Sequence, residues 1–145
     1  MIQGKVVSDE KNISDIFSIW ESVFGMDGNS LIYNGLNVYL ILFEGLKEDK
    51  PIGAVMLREK ENGCLIENLA IIESKRNQQN GEFLLRFAVD KGFQLGYEKI
   101  YTETKEKNGN LFEKIGFEII EDSNMPDETI KYQIMQENFY KRCKH

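Results

Sequence analysis

Residues 66–117 constrain the fold of this 145-residue chain more than any other part of its sequence. They begin with an apolar strand pattern up to Ile72 and continue into the polar turn of residues 76–81. An amphipathic helix pattern follows, then a second strand and a short helix that ends at Gly116. A strand that enters a helix through such a turn presents unpaired backbone N–H groups, which bind phosphate oxygens. The stretch therefore predicts a phosphate-binding turn within a mixed α/β domain.

The composition of the chain excludes several classes of protein. Its hydrophobic content of 41% and charged content of 29% fit one globular domain, which we expect over residues 1–137, with a solvated tail at 138–145. No apolar run is long enough to cross a bilayer, and a net charge of −6 argues against a nucleic-acid surface. Cys64 and Cys143 make no disulfide framework, which indicates a cytoplasmic location. We expect no metal site, because no cluster of ligand residues has the required spacing.

The segment before residue 66 predicts further strands and one helix. Ile2–Val7 has a strand pattern, and Asn12 is a plausible N-cap for a helix that ends at Phe24. The continuous apolar run of residues 38–43 is typical of a strand buried on both faces. It pairs in an antiparallel way with residues 52–57 in our interpretation.

Turn residues predict where the remaining strands begin and end. Asn62 and Gly63 predict a hairpin turn that leads into the strand of residues 64–72. Lys99–Thr104 is the next strand, and residues 117–120 and 131–135 form a closing hairpin around Pro126. All these elements belong to one mixed α/β domain.

Three motifs in residues 66–117 together resemble those of one family. Leu69-Ala70-Ile71 is similar to a Leu-Ala-Val strand, and residues 76–81 fit an Arg/Gln-x-x-Gly-x-Gly/Ala loop at their first and last positions. Leu-Phe-Glu-Lys-Ile-Gly-Phe at residues 111–117 matches a Tyr-Glu-Lys-Leu-Gly-Phe type of closing motif. This combination resembles the GNAT superfamily of N-acetyltransferases, over nearly the whole chain.

The resemblance implies a mostly antiparallel sheet flanked by helices, in which the strands of Leu69 and Tyr101 start side by side and splay apart. Acetyl-CoA would enter this wedge, with its pantetheine paired to the backbone of Leu69 and Ile71. Its pyrophosphate would rest on backbone N–H groups of the loop and of Glu82. The residues that the resemblance assigns to the cofactor are Leu69, Ala70, Ile71, Arg76, Asn77, Gln78, Gln79, Asn80, Gly81, Glu82 and Phe112.

Two residues depart from the family pattern. Gln79 stands where the family has a loop glycine, so its Cβ either displaces the pyrophosphate or the residue continues the helix. Phe112 stands where many members have a tyrosine that protonates the CoA thiolate, and phenylalanine donates no proton. A core aromatic is the simpler interpretation of Phe112.

Transfer to an amine requires a general base, for which Glu67 is the first candidate and Glu103 the second. A solvated glutamate at a strand end is the alternative for Glu67. Cys64 lacks a histidine partner and reads as a buried core residue. The sequence leaves the acceptor open between a small-molecule and a peptide amine, and family members often form homodimers. Alternative interpretations are a degenerate member that binds CoA or a partner without catalysis and, less favoured, an unrelated α/β interaction domain.

Overall fold

The computed structural model describes residues 1–45, 50–104, 109–121 and 129–143, and within these ranges seven strands form one sheet. The strands are β1 (Ile2–Val7), β2 (Val38–Glu44), β3 (Lys50–Lys60), β4 (Gly63–Ile71), β5 (Lys99–Thr104), β6 (Glu118–Glu121) and β7 (Ile130–Met135). The helices are α1 (Glu10–Phe24), α2 (Asn80–Gln94), α3 (Gly109–Ile115) and α4 (Gln136–Cys143), with short 3₁₀ turns at Gly28–Ser30 and Glu73–Lys75.

The sheet has the strand order β1-β2-β3-β4-β5-β7-β6, and the β4–β5 pair is parallel whereas the other neighbours are antiparallel. A two-residue hairpin turn joins β3 to β4 as predicted, but its central residues are Glu61 and Asn62, with φ angles of 48° and 63°, and Gly63 already pairs with Lys60 as the first residue of β4. Positive φ at both central residues is what a two-residue hairpin turn of type I′ requires. The prediction of a mixed, mostly antiparallel sheet is confirmed.

The apolar run in β2 is buried on both faces of the sheet, as its sequence predicts. Leu40 and Leu42 belong to the core beneath α2, whereas Tyr39 and Ile41 belong to the core beneath α1. Successive strand residues point to opposite faces, so one apolar run serves both layers. The result is a three-layer arrangement in which α1 covers one face of the sheet and α2 the other.

The first helix begins earlier than its sequence pattern predicts. The N-cap is Asp9, whose carboxylate accepts hydrogen bonds from the backbone N–H of Asn12 at 3.1 Å and from its side-chain amide at 2.7 Å. The prediction of Asn12 as the N-cap is wrong, because the apolar periodicity begins only at Ile13 and conceals the first turn. The helix ends at Phe24 as expected, and Gly25 caps it with a left-handed φ of 67°.

The expected solvated tail is also wrong for the part that the structure describes. Helix α4 buries Phe139, which is 3% exposed and lies 5.9 Å from the ring of Phe93. The hydroxyl of Tyr140 is 2.8 Å from a carboxylate oxygen of Asp90 in α2. The burial of Phe139 and the packing of the half-buried Tyr140 stabilise a helix that is too short to persist alone. The predicted turn around Pro126 lies outside the described residues, although β6 and β7 pair in the expected antiparallel way.

Among the described residues, no helix has both the length and the apolar composition needed to cross a membrane. The same part of the chain contains no group of three or more His, Cys, Asp or Glu side chains that could hold a metal ion.

Candidate functional site

A cleft opens where strands β4 and β5 diverge. Their parallel pairing covers only three residue pairs and ends at Ile66 and Thr102. Beyond this point lies a cavity of about 690 Å³, a volume within the range of small-molecule sites. Its walls are formed by Phe24, Leu65, Ile66, Glu67, Asn68, Leu69, Thr102, Glu103, Thr104 and Phe112. The predicted splayed strand pair is therefore present.

A β-bulge in β4 forms one wall of this cleft. The register with β3 shifts so that Asn68 and Leu69 together oppose Val55. Asn68 takes the left-handed conformation with φ 59°, and its carbonyl oxygen accepts a 2.7 Å hydrogen bond from the indole of Trp20. The extra residue of a bulge is left out of the ladder, so backbone groups not used by the sheet lie beside the cavity.

The bulge and the Trp20 contact were not predicted from the sequence. The available signal was an asparagine inside a strand pattern, since asparagine tolerates the left-handed region better than most residues.

Both predicted general bases line the cleft, and each has a cation from β3 as its partner. Glu67 forms an ion pair with Arg58, and Glu103 lies 3.3 Å from Lys60. Their side chains are 30% and 29% exposed, so neither carboxylate is a freely solvated strand end. The hydrogen bond with Glu67 raises the pKa of Arg58 further above its ordinary value, which keeps the guanidinium charged. Sequence reasoning missed both cations, which are visible only once the strand register is known.

The loop between β4 and α2 contains two left-handed residues, Asn77 with φ 62° and Gln79 with φ 65°. The carbonyl of Gln79 accepts the backbone N–H of Phe83 at 3.1 Å, which begins α2. Gln79 thus takes a left-handed backbone conformation, which glycine adopts more readily than other residues, and the alternative in which it continues the helix is excluded. A non-glycine residue costs roughly 1–2 kcal/mol in this conformation.

The N-terminus of α2 fits an anion from outside the chain. Gln79 makes no side-chain capping hydrogen bond there, unlike Asp9 at the start of α1. A Cβ added to Gly81 would meet nothing within 4 Å, so open space lies beside Gly81 in the first turn. Uncapped N–H groups beside open space are the arrangement that a pyrophosphate requires.

Three of the predicted cofactor residues use their side chains within the protein. Arg76 donates from Nε to the carbonyl of Ile71 at 3.0 Å, and the buried Asn80 donates to the carbonyl of Lys75 at 2.9 Å. Glu82 lies 2.7 Å from Lys114 and 3.3 Å from Arg86. The hydrogen bond from Lys114 is the main reason why the pKa of Glu82 is lowered. Any contact of Asn80 and Glu82 with a phosphate would therefore use their backbone N–H groups.

Phe112 belongs both to the core and to the cleft wall. It is 5% exposed and packs 4.9 Å from the ring of Tyr132 and 5.7 Å from that of Phe117. Its interpretation as a core aromatic is consistent with this packing, and no proton comes from this position. Cys64 is buried as expected, and burial raises the pKa of its thiol to about 12.

The cleft gathers only part of the predicted site. Glu67, Leu69, Glu103 and Phe112 line it together, whereas residues 76–82 lie beyond the end of β4, at the start of α2. Ala70 and Ile71 are buried in β4, where they pair with Ala54 and Gly53 of β3.

The sequence pattern of the acetyltransferase (GNAT) family matches residues 14–117. The chain belongs to this family. Among solved structures, it is similar to the ribosomal-protein-S18-alanine N-acetyltransferase of Escherichia coli, with 13% identity, a TM-score of 0.77 and coverage of 93% of this chain and 94% of that one. A search of the curated proteins finds no match.

Two further solved structures share the fold and contain CoA. An acetyltransferase of Bacillus subtilis in complex with CoA has 15% identity, a TM-score of 0.73 and coverage of 93% and 99%. The spermidine N-acetyltransferase of Vibrio cholerae, in complex with CoA and spermine, has 15% identity, a TM-score of 0.73 and coverage of 96% and 98%. Membership of the GNAT family supports the prediction that this chain is an N-acetyltransferase that uses acetyl-CoA.

Proposed function

We propose that this protein transfers the acetyl group of acetyl-CoA directly to a primary amine, with both substrates bound at once. The observation that carries the proposal is the cleft between β4 and β5, in which the carboxylates of Glu67 and Glu103 lie beside the bulge at Asn68. Binding both reactants in one cleft replaces a bimolecular encounter by a positioned attack.

The co-substrate would be held largely by backbone groups. Its pyrophosphate would rest on N–H groups of residues 77–82, which the open N-terminus of α2 supports. Its pantetheine would pair with the backbone of Leu69 and Ile71 along the edge of β4 that β5 leaves free. The carbonyl of Ile71 already accepts from Arg76, but a carbonyl oxygen has two lone pairs and can accept again.

The reaction needs an unprotonated amine, and Glu67 is the residue we assign to take its proton. The amine nitrogen forms a bond to the thioester carbonyl carbon, the carbon–sulfur bond breaks, and the thiolate leaves. Since Phe112 donates no proton, the thiolate is protonated by water or by the substrate. Backbone N–H groups at the bulge would stabilise the charge on the thioester oxygen.

The acceptor is a small-molecule or peptide amine in this proposal. The names of two structural neighbours include one acceptor of each kind. One names an alanine of ribosomal protein S18, and the other names the small molecule spermidine. Both present an amine to the thioester, which is what the proposed chemistry requires.

Acetyl-CoA binding and turnover test the proposal in two steps. We expect acetyl-CoA to raise the melting temperature, because a ligand that binds only the native state stabilises it. Release of free CoA thiol with a panel of polyamines, amino acids and peptide N-termini then reports transfer. The absence of any thermal shift at millimolar acetyl-CoA would contradict the proposal.

A second candidate function is a GNAT-fold protein that binds CoA or a partner without catalysis. Gln79 and Phe112 favour it, since one departs from the loop pattern and the other lacks the proton donor of many members. This function predicts a thermal shift with acetyl-CoA and no thiol release with any amine.

A further inference from the structure

A second cavity of about 470 Å³ lies along α1, on residues that none of the sequence motifs includes. Its walls include Glu10, Ser14, Phe17 and Glu21 of α1, together with Tyr33 from the segment that follows the first 3₁₀ turn. We name this cavity the α1 groove. It shares no lining residue with the cleft between β4 and β5, so a ligand here would occupy a separate site.

Two aromatic rings of the α1 groove are held in place by a buried neighbour. Tyr33 stacks on Tyr39 with 5.2 Å between ring centroids, and Phe17 packs edge-on to Tyr39 at 6.3 Å. Tyr39 is 2% exposed, and its hydroxyl accepts the backbone N–H of Asn34 at 3.0 Å. The segment that carries Tyr33 is thus fixed to the sheet, and the aromatic walls are preformed.

The charged side chains that line the α1 groove are all negative. Both charged residues that line it, Glu10 and Glu21, are carboxylates, and the other polar lining groups include serine hydroxyls. Lys11 is the neighbouring cation on α1, and its Nζ forms an ion pair with the carboxylate of Asp15 at 3.2 Å. The groove therefore repels anions and attracts cations.

Glu21 is the carboxylate closer to the aromatic walls. It lies four residues after Phe17, so the two side chains share one face of α1, whereas Glu10 lies about two helical turns away. Gly28 has no Cβ, and the carboxylate of Glu21 occupies the space that a Cβ at Gly28 would enter. The first 3₁₀ turn thus supports Glu21 at one end of the groove.

We propose that the α1 groove binds an organic ammonium ion with apolar substituents. Aromatic faces attract such a cation, a carboxylate neutralises it, and the apolar substituents replace water against the rings. The volume of the groove suits a small ligand. The proposal concerns binding alone, so its test does not depend on whether acetyl transfer takes place in the cleft.

The test uses choline, whose quaternary nitrogen can neither be acetylated nor lose its charge. We expect saturable binding of choline in a calorimetric titration of the whole protein. The neutral isostere 3,3-dimethylbutan-1-ol has carbon in place of the nitrogen of choline. It should bind at least about tenfold more weakly than choline. Equal binding of the two compounds, or no saturable binding of choline, would overturn the proposal.

Variants then locate the bound cation. Glu21→Gln should weaken choline binding by about fivefold or more, and Tyr33→Leu by about threefold, with a smaller effect of Glu10→Gln. Glu98→Gln is the matched control, because it removes one exposed carboxylate away from the groove. Tyr33 is 43% exposed, so its replacement tests the aromatic wall without opening the core.

The cleft is the competing location for choline. If Glu67→Gln weakened choline binding and Glu21→Gln did not, the cation would bind between β4 and β5 and the proposal would be wrong. Unchanged binding in both Glu21→Gln and Tyr33→Leu would overturn it as well.

Discussion

The indole Nε1 of Trp20 donates a 2.7 Å hydrogen bond to the backbone carbonyl of Asn68, the left-handed residue of the bulge in β4. Trp20 is 2% exposed and belongs to the core between α1 and the sheet. Since a bulged residue lacks a ladder partner, this contact fixes the direction of the carbonyl. The packing of α1 is thereby connected to the backbone that lines the cleft.

We expect Trp20→Phe to lower the free energy of unfolding by about 1–3 kcal/mol, because it removes a hydrogen bond and part of a buried ring. We also expect kcat for acetyl transfer to fall by about tenfold, since a small misplacement of the positioned groups slows the reaction. Urea unfolding and steady-state kinetics measure the two effects.

Tyr39→Phe is the control for this substitution. It removes the hydroxyl that accepts the N–H of Asn34, in the same aromatic group but away from the bulge. It should cost about 1 kcal/mol of stability and leave kcat nearly unchanged. Equal losses of kcat in Trp20→Phe and Tyr39→Phe would show that the contact with Asn68 has no special role.

Gln79→Gly should stabilise the protein by up to about 1 kcal/mol. Glycine relieves the left-handed strain at φ 65°, and part of this gain is offset by the larger entropy of the unfolded chain. Acetyl-CoA binding, measured by calorimetry, should be preserved or tighter. Weaker binding would mean that the side chain of Gln79 makes a contact of its own.

Gln78→Gly is the matched control, because Gln78 is exposed and lies outside the left-handed region. Glycine relieves no strain at that position, so we expect a small loss of stability. A gain in both variants would mean that the stabilisation is unrelated to backbone strain.

The sequence was sufficient for those parts of the fold that local patterns determine. The apolar run of β2 and the turn at Asn62 depend on few neighbours, and both were predicted. Helix α4 was missed because Phe139 has a place in the core only once Phe93 of α2 lies opposite it. A single aromatic pair in a polar segment is too short a pattern to predict a helix.

The carboxylates of the site could be predicted from the sequence, but the ion pairs that they form could not. Glu67 and Glu103 were proposed from their places on neighbouring strands, and both line the cleft. The contact of Arg58 with Glu67 depends on the register between β3 and β4, and that of Lys60 with Glu103 depends also on the register between β4 and β5. The turn at Glu61 and Asn62 sets the β3–β4 register from Lys60 to Met56, and a shift by one residue would change which side chains meet across the ladder.

Cys64 should be chemically inert in the folded protein. It is 1% exposed, and a pKa raised to about 12 by burial leaves almost no thiolate, which is the reactive form. In a Cys143→Ser variant, where Cys64 is the remaining thiol, we expect no labelling by iodoacetamide until denaturant is added. Labelling of the native protein at the rate of a free cysteine would contradict the burial of Cys64.

The ion pair between Glu82 and Lys114 should make a small, acid-sensitive contribution to stability. The pKa of Glu82 is lowered below its ordinary value of 4.5 chiefly by the hydrogen bond from Lys114. A lowered carboxyl pKa stabilises the folded state above the unfolded-state pKa, and the contribution is lost as the pH falls through the folded-state value. Because the side chain of Lys114 is 60% exposed, solvent screening limits the effect to about 0.5 kcal/mol.

Melting temperatures of the wild type and of Lys114→Met across the acidic range measure this contribution. The difference should be largest near neutral pH, shrink as the pH falls below the ordinary value of 4.5, and shrink with added salt. A difference that persists unchanged in acid would instead reflect lost packing of the lysine stem.

Glu67→Gln should lower kcat/KM for acetyl transfer by about 100-fold near neutral pH, if Glu67 takes the proton of the amine. Glutamine has nearly the same shape and can still accept the hydrogen bond from Arg58, so the cleft and the affinity for acetyl-CoA should be retained. The decisive measurement is kcat/KM near neutral pH, with the affinity for acetyl-CoA measured separately by calorimetry.

Glu103→Gln provides the comparison, since Glu103 lines the same cleft and also pairs with a β3 cation. It should reduce the rate only severalfold. If Glu103→Gln causes the larger loss of rate and Glu67→Gln the smaller, Glu103 is the base. If both variants keep nearly the wild-type rate, neither carboxylate removes the proton, and the amine reaches the thioester already deprotonated by solvent.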